Sequence, residues 1–352
     1  MNYFLKHVIT LLIINIVLFT SPILGQVTKK TIGQHLIIGI YDYPIDQRYI
    51  TFINEYQISG VIFISKNYNS TDKIKKTIQT LTSNVKHNLF FSIDQEGGDV
   101  QRIKKGIPPL PAAKEIALNY STKQAYLLYT TTAIVLNSIG ININFAPVAD
   151  VLTETKNTVI GSRSYSHNPF TVTSFALTAA TAFENQSVLP VIKHFPGHGN
   201  TKKDSHYELP IHKNPDLFET IDLFPFSQLI KKNIPAVMVG HVQYPFLDSQ
   251  KPASLSKIIV TDLLKKQLNF KGLIFSDDLA MGAIKKTTPL SNSIKQAIAA
   301  GIHQLIIIDD LATIQNTIIK ITRDQEFSNR NFQQMISNIN LIKEYKLRYK
   351  KF

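Results

Sequence analysis

Eight short apolar runs, separated by segments with helical spacing, limit this chain more than any other feature. They are QHLIIGI, GVIFI, LFFSID, ININFAPV, VLPVIKHF, IPAVMVGHV, GLIFSDDL and HQLIIIDD, beginning at residues 34, 60, 89, 141, 188, 234, 272 and 303. Their near-continuous hydrophobicity suits parallel strands covered on both faces. Helix-like stretches such as STKQAYLLYTTTAIVLNSIG and NPDLFETIDLFPFSQLIKKN lie between them, the latter with Asn214 as a cap and Pro215 in the first turn. The tail NFQQMISNINLIKEYKLRYKKF reads as a final helix with a basic end. Strand–helix alternation repeated eight times predicts an α/β fold, a single (β/α)₈ TIM-type barrel. No Pro/Gly-rich linker divides the chain and no tandem repeat is visible.

A barrel of this kind places its chemistry at the C-terminal ends of the strands and in the loops that follow. Those positions carry Asp94, the pair Lys193 and His194, His241, and the pair Asp277 and Asp278. Arg102 and Arg163 lie in the loops after the third and fourth strands. Charge at the end of a buried strand is costly unless it is paired or used. Neighbours on an extended chain point to opposite faces, so only one carboxylate of FSDDL is expected to enter the pocket.

The densest cluster of polar chemistry is KHFPGHGNTKKDSH, residues 193 to 206, at the end of the fifth run and in its loop. In Asp204-Ser205-His206 the outer residues share a face of an extended segment, so Asp204 is placed to orient the His206 imidazole and raise its basicity. A zinc site built from His194, His198 and His206 is the alternative. Its spacings match no helical HExxH pattern, and Pro196 disrupts local helix, so no metal is expected.

Composition trims the remaining classes. The chain has 352 residues, 44% of them hydrophobic, and a formal charge of +13. The basic residues are scattered and form no nucleic-acid signature, so the charge reads as a basic surface, with attraction to an anionic polymer such as cell wall left open. There are no cysteines, which excludes disulfides, thiolate nucleophiles and Cys-based zinc sites. There is no GxGxxG or Walker loop, so no nucleotide cofactor is expected. Lys6 and His7, an apolar run from Val8 to Phe19, and Ser21, Pro22 and Gly25 describe a secretory signal peptide over residues 1–25. The reading is therefore an exported protein, periplasmic or secreted, with an uncleaved N-terminal anchor as the alternative and a catalytic domain over 26–352.

Taken together, DQEGGDVQR, GININFAPVADV, VIGSRSYS, KHFPGHGNTKKDSH, HVQYPFLDSQKPASLS and FSDDLAMGAI, in that order, resemble glycoside hydrolase family 3, specifically its bacterial β-N-acetylglucosaminidases. The resemblance runs from about residue 32 to the C-terminus, and KHFPGHG followed by DSH is its most specific part. It implies a (β/α)₈ barrel and a retaining mechanism without a cofactor. It implies Asp277 as nucleophile, His206 as acid/base and Asp204 as its orienting partner. Asp94, Arg102, Arg163, Lys193 and His194 would hold the N-acetylglucosamine ring. The expected partners are N-acetylglucosamine-containing saccharides, from muropeptides, peptidoglycan or chitin, and the protein is read as a monomer. The short Gram-negative members of the group are cytoplasmic recycling enzymes, which the export-like segment does not match. The alternatives are a phosphorylase on the same scaffold, a non-catalytic wall-binding protein and a zinc hydrolase.

Overall fold

The computed structural model describes residues 26–202, 205 and 208–350. Residues 1–25, expected to be a signal peptide, lie outside the described residues, as do Asp204 and His206.

Eleven strands are described: β1 (Leu36–Ile40), β2 (Gly60–Phe63), β3 (Phe90–Ile93), β4 (Gln95–Gly97), β5 (Val100–Gln101), β6 (Ile143–Asn144), β7 (Leu189–Pro190), β8 (Ile192–Phe195), β9 (Ala236–Val239), β10 (Leu273–Ser276) and β11 (Leu305–Ile307). Each of the eight apolar runs contains a strand, and all of these strands pair in parallel. They form a six-stranded sheet, β11-β1-β2-β3-β6-β7, and a three-stranded sheet, β10-β9-β8. The fifth run supplies both β7 and β8, on either side of Val191, so one stretch of chain serves both sheets. At the other edge, the N–H groups of His303 and Gln304 donate to the Ile274 carbonyl, and Ser276 donates to that of Gln304. The short antiparallel hairpin of β4 and β5, just after Asp94, is not legible in the apolar pattern.

Alternate residues of the strands serve two cores, which is why the runs are apolar throughout. Ile37, Ile62, Phe90, Ile143, Leu189, Met238, Phe275 and Ile306 gather in one cluster, joined by Ile342 and Tyr345 of the C-terminal helix Gln325–Arg348 and by Tyr349, which caps it. The Tyr345 hydroxyl donates to the Pro235 carbonyl at 3.1 Å. The intervening side chains, among them Ile38, Val61, Phe63, Ile274 and Ile307, pack in the larger cluster with the helices.

The helix Thr122–Ser138 starts at Ser121 with a reciprocal cap from Gln124. The helix expected to start at Pro215 is different: a π-helical turn, Phe218–Asp222, precedes a regular helix over Phe224–Lys231. Asn214 caps only a local turn, through the N–H of Asp216. Pro225 has no N–H for the carbonyl four residues back, so the regular helix begins only at Phe224, where Pro225 falls in its first turn.

Candidate active site

Because the main strands run the same way, Asp94, Lys193, His194, His241 and Asp277 emerge at one end of the sheets. Six of the eight residues expected in the site fall among the described ones, and all six line one cleft of about 360 Å³: Asp94, Arg102, Arg163, Lys193, His194 and Asp277.

Its floor is a network of alternating charge. The Lys193 ammonium, almost wholly buried, donates to Asp94 Oδ1 at 2.8 Å and lies 2.6 Å from Glu96 Oε1. Arg163 grips Glu96 with two parallel bonds, Nε to Oε2 and Nη2 to Oε1, both 2.8 Å. Arg102 stands at the rim, 3.5 Å from Asp94. Burial alone would push the Glu96 carboxyl up, but Arg163 and Lys193 outweigh it and hold it well below the ordinary carboxylate range. Burial would likewise weaken the Lys193 charge, yet Asp94 and Glu96 raise its pKa. Two carboxylates and two cations thus fix one another in a rigid array of hydrogen-bonding groups, suited to a polyhydroxylated ligand.

A second buried carboxylate organises the fifth strand end. Asp150 accepts from His194 Nδ1 at 2.7 Å, from the His194 N–H at 3.2 Å and from the His198 N–H at 2.7 Å. With its Nδ1 proton committed, His194 presents Nε2 as an acceptor, 3.4 Å from Arg163 Nη2. His198 bonds Thr201 through Nδ1 at 2.8 Å and Ser205 through Nε2 at 3.3 Å, and burial lowers its pKa to about 4. Among the described residues no three His, Asp or Glu side chains are grouped to hold a metal ion.

The two carboxyls of FSDDL differ sharply. Burial works against the charge of Asp277, but His241, His194, an N–H from Asp278 and Lys193 outweigh it and hold the carboxyl down to about 2. Burial pushes Asp278 up to about 7, and the nearby Asp277 and Asp309 reinforce this against backbone N–H bonds. Both border the cleft, rather than only one as alternation suggested. Asp278 Oδ1, however, is occupied by the N–H groups of Ala280 and Ile308, each at 3.0 Å. His241 is tied between Ser254 Oγ at 2.7 Å and the Asp278 carbonyl at 2.9 Å, which sets it against the Asp277 backbone. Among the described residues, Asp94 and Glu96 of the cleft are ion-paired with Arg or Lys, whereas Asp277 is held ionised with no such partner within ion-pair distance. Such a group serves as a nucleophile or stabilises a developing cation.

Sequence reasoning did not single out Glu96 or Asp150. Each was visible as a carboxylate beside a strand end, within DQEGG and PVADV, and the cost of burying such a group was the available signal.

Against known proteins, residues 27–340 match the family model described as Glycosyl hydrolase family 3 N terminal domain. A beta-hexosaminidase A of Pseudoalteromonas piscicida is 38% identical over 255 residues, which cover 66% of this chain and 42% of that protein. A beta-hexosaminidase of Actinobacillus pleuropneumoniae is 34% identical over 282 residues, 78% of this chain and 81% of its own length. The match therefore spans less than half of the first relative and most of the second. Among solved structures, a glycoside hydrolase family 3 beta-N-acetylglucosaminidase from Paenibacillus superposes with a TM-score of 0.85 at 27% identity, covering 92% of this chain and 63% of that one. LpqI of M tuberculosis gives 0.83 at 28% identity, covering 90% and 93%. The order of the strands, the buried charge network of the cleft and these matches lead to one conclusion: the chain belongs to glycosyl hydrolase family 3, a family of hydrolases.

Proposed function

We propose that this protein is a retaining β-N-acetylglucosaminidase that removes terminal non-reducing N-acetylglucosamine from peptidoglycan-derived or chitin-type oligosaccharides. The observation that carries the reading is the placement of Asp277, an ionised carboxylate facing the cleft that the paired groups Asp94, Lys193, Glu96 and Arg163 also line.

The chemistry runs in two steps. Asp277 attacks the anomeric carbon, forming an ester bond to the sugar as the glycosidic C–O bond breaks. His206 gives its proton to the departing oxygen. Water then attacks the same carbon, His206 takes the proton, and Asp277 leaves as a carboxylate. Asp204 keeps the imidazole in the right tautomer throughout. An ordinary His pKa of about 6.5 suits a group that must both give and take a proton near neutrality. Lys193, Asp94, Arg163 and His194 hold the ring while this happens.

The fold belongs to the same proposal: the two sheets are read as one (β/α)₈ barrel. The shared run of β7 and β8, the hydrogen bonds between β10 and His303 and Gln304 just before β11, and the single inner cluster support it. The protein is proposed to act outside the cytoplasm, after loss of residues 1–25, and native material that starts at Met1 in a cytosolic fraction would count against that.

The decisive assay is turnover of an aryl N-acetylglucosaminide by wild type beside Asp277→Asn, with a fluorinated mechanism-based sugar as label. Wild type should turn over, the variant should lose at least about 10³-fold in kcat, and the label should sit on Asp277. A variant within tenfold of wild type, or label on Asp278, would refute the assignment.

A further inference from the structure

β1 and β11 are parallel neighbours, with Ile38 opposite Ile307. The segments that follow them, starting at Tyr41 and Ile308, therefore emerge side by side on the face that holds the cleft. Between them lies a second hollow of about 420 Å³, lined by Tyr41, Asp42, Arg48 and Ile308–Asp310 among others. Ile308 is a wall of both this hollow and the main cleft. Its backbone N–H is the one that holds Asp278.

The lining has a definite chemical character. Tyr41 presents a half-buried ring, and its hydroxyl has no hydrogen-bond partner among the described residues. Burial, then the charge of Asp278, push that phenol up to about 12, so it remains a proton donor. The Arg48 guanidinium is already committed to Asp46, with contacts of 2.8 and 2.7 Å. Asp309 pairs with Lys285 at 2.9 Å, and Asp310 caps the next helix through Thr313. Asp42 makes no direct ion pair among the described residues and feels only the nearby charge of Arg48. The rim is thus an aromatic face with a free donor, surrounded by carboxylates whose charge is only partly balanced.

We infer that this hollow is the subsite for the leaving-group sugar, and that it takes an uncharged saccharide unit in preference to one bearing a carboxylate. A sugar ring has an apolar C–H face to lay on Tyr41 and hydroxyls to donate to Asp42 and accept from the Tyr41 hydroxyl. An acidic substituent would meet Asp42, Asp309 and Asp310, and the one basic group among the residues lining the hollow, Arg48, is already paired with Asp46. The inference rests on the glycosidase reading and narrows its substrate class toward chitin-type oligomers.

The test compares three substrates of one N-acetylglucosaminyl donor: the glycosyl fluoride, which has no leaving sugar; the disaccharide with N-acetylglucosamine; and a disaccharide whose leaving sugar carries an acidic ether side chain. Wild type should prefer the neutral disaccharide over the acidic one. Tyr41→Ala should lower the ratio of kcat/KM for the neutral disaccharide to that for the fluoride by about tenfold, the loss expected for one aromatic face and one hydrogen bond. Tyr41→Phe should recover most of that ratio, which separates the ring from any effect on folding. Asp42→Asn should narrow the gap between neutral and acidic disaccharides, most at low salt. If Tyr41→Ala leaves the ratio unmoved, or the acidic disaccharide is preferred, the subsite is refuted while the glycosidase reading stands. If folded wild type turns over none of the three, the glycosidase reading fails and the subsite falls with it.

Discussion

Glu96→Gln tests whether the cleft is held together as the structure indicates. The substitution keeps the shape of the side chain and removes one negative charge. That charge sits 2.6 Å from Lys193 and forms two 2.8 Å bonds to Arg163, with side-chain exposures of 6% for Glu96, 4% for Lys193 and 16% for Arg163. Without it, Lys193 and Arg102 share Asp94, and Arg163 keeps only the longer-range attraction of Asp150 and Asp94. Breaking a buried pair by removing one partner typically costs about 3–5 kcal/mol, because the remaining charge is left uncompensated. A chain of 352 residues has an unfolding entropy of about 0.7 kcal/mol/K near its midpoint, so the melting temperature should fall by roughly 4–7 °C at pH 7. Scanning calorimetry of both proteins reads this directly. The pH dependence adds a signed check. The folded Glu96 carboxyl is held below its ordinary value, so its charge stabilises fully above the unfolded pKa of about 4.3 and the contribution is lost as pH falls below that. The gap between wild type and variant should therefore be constant from pH 6 to 8 and shrink toward pH 3. Melting within 1 °C of wild type at pH 7, or a gap that widens in acid, would refute the account of Glu96 as the group that balances the site.

Two further outcomes are expected, one from the geometry of Asp278 and one from the role proposed for His206. Asp278 has a folded pKa raised to about 7, so the native state keeps a proton that the unfolded chain releases, and stability should fall as pH rises from about 4 to 7. Asp278→Asn keeps an acceptor for Ala280 and Ile308; its melting temperature should gain on wild type across that window and the difference should level off above it, whereas a constant difference would contradict the shift. His206→Ala should form the glycosyl-enzyme from an activated aryl glycoside and then stall, giving a burst that azide relieves, while a disaccharide slows in the first step by roughly 10²–10⁴. Equal losses on both substrates, with no burst and no azide rescue, would make His206 a binding residue only.

How much of this was legible beforehand depends on the range of the interaction involved. The parallel strands were readable because covering a strand on both faces demands apolar residues throughout, and that demand is written locally in runs such as HLIIGI and GLIFS. The cleft-facing ends were readable for the same reason inverted: Asp94, Lys193 and Asp277 interrupt apolar runs where charge has no business unless used. The helix expected at Pro215 begins later and first as a π-helical turn, because Pro225, ten positions on, lacks the N–H of a regular helical bond, and a local cap cannot report that. The β4–β5 hairpin was missed because three residues paired with two give no periodicity.

The sequence by itself determined the class of the fold, the strands, and the identity of the groups available to the site, since these follow from local hydrophobic pattern and from motifs contiguous in the chain. Only the tertiary structure decided how those groups are charged and aimed. Glu96 meets Arg163 across 67 positions, Asp150 meets His194 across 44, and Lys193 meets Asp94 across 99. Adjacent Asp277 and Asp278 are driven apart because His241, His194, an N–H and Lys193 outweigh burial at Asp277, whereas burial, with Asp277 and Asp309 beside it, outweighs the N–H groups of Ala280 and Ile308 at Asp278. The field that divides them falls off with distance in space and is indifferent to distance along the chain.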